Sequence, residues 1–176
     1  MDVISSFRGQ FAQAHEMIEQ AVADLTPEQR NYRGEDWNIQ SIGGIYGHFL
    51  TSEDYLINIM IREKPEDFLF VRDDWAEKTG YDAGEDGQLS EKISAAASAA
   101  DFDALREYGK QVYAATDAWL ASLSTSDLER KIHIPWMGGD MSVGEIIGNI
   151  LIWHAVQHGG EICALKGVQG GQGLPF

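Results

Sequence analysis

Four stretches of this chain space apolar residues three, four or seven apart over several turns, a pattern that points to a helical bundle. Ile4, Phe7, Phe11, Ala14, Ile18, Ala21 and Leu25 predict a first helix over about 2–25, ended by Thr26-Pro27, which can itself open a short helical turn. Ile42, Ile45, Phe49, Leu56 and Ile59 predict a second over about 39–62, stopped by Lys64-Pro65. Leu105, Tyr108, Val112, Ala115, Trp119 and Leu123 predict a third over about 101–123. The fourth, about 143–166, runs on Val143, Ile147, Ile150, Leu151, His154, His158, Ile162 and Leu165. Ser142 and Glu145 supply its capping box and Gly167 its expected C-terminal cap.

Between the second and third helices, residues 65–100 read as one long crossover with short helices near 65–77 and 89–98. Nine acidic residues and three basic ones fall between Glu63 and Gln88, without the alternating acidic spacing of a calcium loop, so this stretch reads as a solvated connection. Ile132-His133-Ile134-Pro135-Trp136-Met137-Gly138-Gly139-Asp140-Met141 alternates and then turns, as a small hairpin or an extended loop does. Gly167 to Phe176 reads as a loop. With no repeat or linker, residues 1–176 are expected to form a single all-α domain: a four-helix bundle with one long crossover.

The formal net charge of -15 opposes nucleic acid and anionic membrane surfaces, both of which are bound through Lys and Arg. The most apolar stretch, Ile146 to Leu165, contains Asn149, two histidines, Gln157 and Glu161 and is too polar for an ordinary membrane span. The N-terminus lacks the pattern of a signal peptide, and the single cysteine, Cys163, cannot form an internal disulfide. A soluble, cytoplasmic protein is the expectation.

His154 and His158 lie four residues apart on the apolar face of the fourth helix, about 40° apart around its axis, so both imidazoles leave one side. His48 flanks the apolar stripe of the second helix and can close a three-nitrogen site if the two helices face each other. A single buried histidine more often hydrogen-bonds to a carbonyl or carboxylate and binds nothing. Two on one buried face each need a partner, and a metal serves both. Ala155 stands where a zinc protease carries its general base, so that reaction is excluded. Three imidazoles leave coordination positions for water or substrate, the pattern of a catalytic zinc, and equally admit nickel, iron, manganese or copper.

The order and spacing of His48, His154 and His158, with His158-Gly159-Gly160-Glu161-Ile162 on the last helix, resemble the DinB/YfiT-like superfamily. The likeness extends over Ala23-Asp24-Leu25-Thr26-Pro27-Glu28-Gln29, Ser41-Ile42-Gly43-Gly44-Ile45-Tyr46-Gly47-His48 and the closing Leu165 to Phe176. It implies a four-helix bundle, often a homodimer, with a divalent metal, commonly nickel or zinc, on His48, His154 and His158. Relatives include enzymes that use a low-molecular-weight thiol as co-substrate, among them isomerases and S-transferases.

Around this site, Glu161 is placed to accept the distal N–H of His158, while Gln157, Ser52 and Tyr55 are pocket candidates. Trp153 points about 100° away from His154 and reads as packing or an interface. His15 is either a structural histidine or a further ligand, His133 a loop residue, and Cys163 a small buried one. The function expected is that of a metal-dependent enzyme acting on a small molecule, a thiol-dependent S-transferase or a hydrolase. The alternatives are a non-catalytic metal- or ligand-binding stress protein and a structural homodimer without metal.

Overall fold

The structure is a computed structural model in which residues 2–33, 39–83 and 100–173 are described. Each long helix begins where a side chain can serve the orphan amides of its first turn. Asp2 accepts from Ser5 N at 2.9 Å and opens α1, Val3–Val22. Ser41 accepts from Gly44 N at 3.1 Å and opens α2, Ile42–Tyr55. Asp101 accepts from Asp103 N and Ala104 N and opens α3, Phe102–Ser122. The fourth rod begins at the capping box of Ser142 and Glu145, runs through Val143–Ile146 and a π-helical stretch, Ile147–Ile152, and continues as α4, Trp153–Val168. The second rod also widens, at Leu56–Ile61, where Arg62 N bonds Ile57 O five residues back.

The packed helix pairs are α1–α4, α4–α2, α2–α3 and α3–α1, so the bundle runs α1, α4, α2, α3 around its axis. One apolar cluster joins Ile18, Ile45, Phe49, Leu105 and Ile162, and a second joins Phe11, Ile57, Leu120, Ile147 and Leu151. Two strands, β1 (Lys131–Ile134) and β2 (Gly139–Ser142), pair antiparallel with Lys131 opposite Ser142, which resolves the alternating segment as a hairpin.

Several boundaries differ from the sequence reading. In place of one helix over 65–77 there are three single turns, Pro65–Asp67, Leu69–Arg72 and Trp75–Thr79. The turn at Leu69–Arg72 is fixed from outside: the buried Asp54 carboxylate accepts from Leu69 N at 3.3 Å and Phe70 N at 3.0 Å. The expected helix at 89–98 lies outside the described residues. α1 stops at Val22, short of Leu25. α4 passes through Gly167 to Val168, and Gly170, at φ 81, takes the left-handed conformation expected of Gly167. No helix among the described residues is long and apolar enough to cross a membrane.

Candidate metal centre

α2 and α4 pack side by side, and their facing surfaces bring His48, His154 and His158 together from positions 106 residues apart. His154 Nε2 lies 3.3 Å from His48 Nε2 and 3.0 Å from His158 Nε2. Among the described residues, this is the place where three His, Cys, Asp or Glu side chains gather ligand atoms, all within 4.8 Å of one another. His158 is buried, and His48 and His154 are half-buried.

The spacing suits a transition-metal ion. Nitrogens held at zinc–imidazole distance, about 2.0–2.1 Å, stand about 3.3 Å apart at tetrahedral angles and about 2.9 Å apart at right angles. Hydrogen bonding alone fits less well. The carboxylate of Glu161 lies 2.6 Å from His158 Nδ1, which places the proton there and leaves a lone pair on Nε2. His154 Nε2 can then donate to His158, and it has no lone pair left for His48. A cation at the centre uses the lone pairs of all three nitrogens. Burial, followed by the proximity of His158 and His48, pushes the His154 pKa down to about 3, so its imidazole is neutral and ligand-ready at ordinary pH.

The neighbours divide. Ser52 Oγ lies 3.4 Å from His48 Nδ1, and Glu161 holds His158 while its other oxygen accepts from Gln157 Nε2 at 3.3 Å. Gln157 is exposed and reaches the centre only through Glu161. Tyr55 is 46% exposed and packs its ring edge-on against Phe68 at 5.9 Å, toward the crossover.

His15 does not join the three histidines. Phe49 stands between, with its ring 6.1 Å from His15 and 6.3 Å from His154. His15 Nε2 instead meets the Glu53 carboxylate at 3.0 Å, and its ring stacks on Tyr113 at 3.9 Å. The second Glu53 oxygen accepts from Thr116 at 2.6 Å, so this buried group ties α1, α2 and α3 together. His133 is exposed on β1 with Asp140 at 2.8 Å, and Cys163 is buried.

Two features of α2 escaped the sequence reading. Glu53 and Asp54, adjacent and each only 2% exposed, were not singled out. Nor was Gly47, where a Cβ would meet the Tyr81 ring, whose hydroxyl donates to Gly44 O at 3.4 Å. The glycines at 43, 44 and 47 were the available signal, since helical glycine at that spacing marks close approach.

A family model described as the DinB superfamily matches residues 10–162. A conserved protein from Enterococcus faecalis is similar in structure with a TM-score of 0.73 at 19% identity, covering 97% of this chain and 99% of that one. YfiT from Bacillus subtilis, described as a probable metal-dependent hydrolase with an unusual four-helix bundle topology, is similar with a TM-score of 0.67 at 17% identity, covering 96% of this chain and 88% of that one. No curated protein sequence matches the chain.

Proposed function

The chain belongs to the DinB superfamily, and from that premise we propose that it is a divalent-metal-dependent enzyme acting on a small molecule, with hydrolysis as the leading reaction. The observation that carries this reading is the convergence of three imidazole nitrogens at 3.0 and 3.3 Å, with Glu161 turning the His158 lone pair inward. The description of YfiT as a probable metal-dependent hydrolase supports the choice of reaction. His48, His154 and His158 hold the metal; nickel and zinc are the first candidates, since both accept neutral imidazole. A divalent ion held by these three residues would supply Lewis acidity, lowering the pKa of a water or thiol and polarising an electrophile.

The protein's own residues do the rest. Phe49 and the packed α2–α4 seam keep water from the inner side of the site. Ser52 and Glu161 orient two of the three rings, and Gln157 steadies the carboxylate that does so.

Elemental analysis of the purified protein tests the proposal, with close to one equivalent of metal expected and little in His154→Ala. Absence of metal after reconstitution with nickel or zinc ends the metal reading. The loaded protein is then screened for ester and amide hydrolysis and, separately, for depletion of low-molecular-weight thiols with electrophilic acceptors. Thiol consumption without hydrolysis replaces the hydrolase with an S-transferase.

A further inference from the structure

No Lys or Arg occurs between Arg33 and Arg62, or between Lys131 and Lys166. These segments span all of α2 and α4 as far as Leu165, so neither rod carries a base at the level of the three histidines. Building on the metal reading of this centre, we infer that it takes a substrate that is neutral or cationic beyond its metal-bound atom, and rejects one bearing carboxylate or phosphate groups there.

The bases at the margins are occupied elsewhere. Arg62, about 20 Å along the rod from His48, binds Asn58 and Asp67. Arg33 donates to Ile39 O at 3.3 Å, and Lys131 pairs with Glu145 at 3.2 Å. Lys166 lies about 12 Å beyond His158 and is buried against Asp24, just past the end of α1. Arg8 pairs with Asp117, and Arg106 with Glu19, across the α1–α3 seam on the opposite side of the bundle.

The charge present at the centre is negative. Glu161 faces His158 at 2.6 Å with 34% of its side chain exposed. In α2 the buried Asp54 is held by neutral donors: Asn58, Tyr108 and the amides of Leu69 and Phe70. The whole chain adds a formal net charge of -15. A divalent ion on three neutral imidazoles attracts one anionic donor atom to itself. A second anionic group on the same molecule meets no Arg or Lys fork, and loses its hydration without compensation. Ser52 Oγ and the Gln157 amide, both uncharged, suit carbonyl, amide or ammonium groups instead.

Para-substituted thiophenols test this on the cobalt(II)-loaded protein, with the carboxamide, carboxylate and aminomethyl compounds compared per thiolate. The rigid ring keeps the para group from reaching the same ion, and the visible spectrum of cobalt reports binding without turnover. The aminomethyl and carboxamide compounds are expected to bind at least about fivefold more tightly than the carboxylate. Gln157→Lys is expected to narrow that gap at least about threefold. Equal or tighter binding of the carboxylate overturns the charge selection while the metal centre stands. So does an unchanged gap in a Gln157→Lys protein that still takes up cobalt. Binding of none of the three also overturns it, since no open position then admits a substrate. Failure to take up cobalt, nickel or zinc is a separate result: it removes the metal reading, and the selection falls with it.

Discussion

His158 is gripped at both ring nitrogens: Nδ1 faces Glu161 at 2.6 Å and Nε2 faces His154 at 3.0 Å. If the carboxylate sets the tautomer, Glu161→Gln removes the charge that holds the proton at Nδ1 and loosens the ring. A loss of about 10–100-fold in metal affinity is expected, read by competition against a chelator, with the fold intact. Equal affinity in both proteins would assign Glu161 to the surface alone. His154 gives a pH signature in the metal-free protein. Its folded-state pKa of about 3 lies below the ordinary value of 6.5, so between these values the unfolded chain binds a proton that the folded chain refuses. The stability that His154 contributes is therefore complete above about pH 6.5, falls as pH drops through that window, and levels off near pH 3. Its slope is at most one proton, about 1.4 kcal/mol per pH unit. Urea unfolding of the metal-free protein across this range should show that slope, and His154→Gln should lack its share. Identical profiles would refute the assignment.

The four long helices were legible because their apolar periodicity and caps are local; the turns that adjust them and the short turns of the crossover were not. In the fourth rod the buried residues Ile146 and Leu151, and Ile147 and Ile152, are five apart, which is π-helical spacing. Isoleucine also occupies position 150, so the sequence reads equally well with α-helical spacing, and only packing shows that Ile150 is the half-buried one. The inserted residue rotates the remainder of the rod by about 100°, immediately before Trp153 and His154, which sets the direction in which the histidine pair leaves the helix. The His154–His158 pair was readable, since i,i+4 spacing survives any rotation of the helix that carries it, whereas His48 was reached from its place beside the apolar stripe of the second helix and from the family resemblance. Glu53 and Asp54 were not readable, because their partners lie on other elements: His15 and Thr116 are 38 and 63 residues from Glu53, and Tyr108 is 54 from Asp54. At Gly47 the crossover meets α2 one residue before His48, with the Tyr81 ring where a side chain would stand. Gly47→Ala should therefore cost about 1–3 kcal/mol in urea unfolding by overpacking, and weaken metal binding as His48 shifts with its helix. Unchanged stability would mean that Tyr81 moves aside freely.

At the scale of the whole molecule, the three-histidine centre joins two rods, with His48 and His154 106 residues apart, and α4 is the last helix of the bundle. An ion that binds the folded arrangement and not the dispersed ligands of the unfolded chain stabilises the fold by mass action, about 2.7 kcal/mol at a hundred times its dissociation constant. The apolar clusters hold the bundle without it: Phe49 and Ile45 on α2 pack with Ile162 and Leu165 on α4 on the inner side of the histidines. Metal is thus expected to act as a clasp on a bundle already closed. Removing it with a chelator should lower the melting temperature by several degrees and leave the far-ultraviolet circular dichroism of the native state unchanged. In His154→Ala the metal-free melting temperature should shift modestly, because that ring is half-buried at the seam, while the increment on adding nickel or zinc disappears. If chelation instead unfolds the protein, the metal is a structural requirement of the bundle, and a centre closed by protein atoms replaces the open, catalytic one. If the increment persists in His154→Ala, the ion binds elsewhere, and the three histidines lose their claim to it.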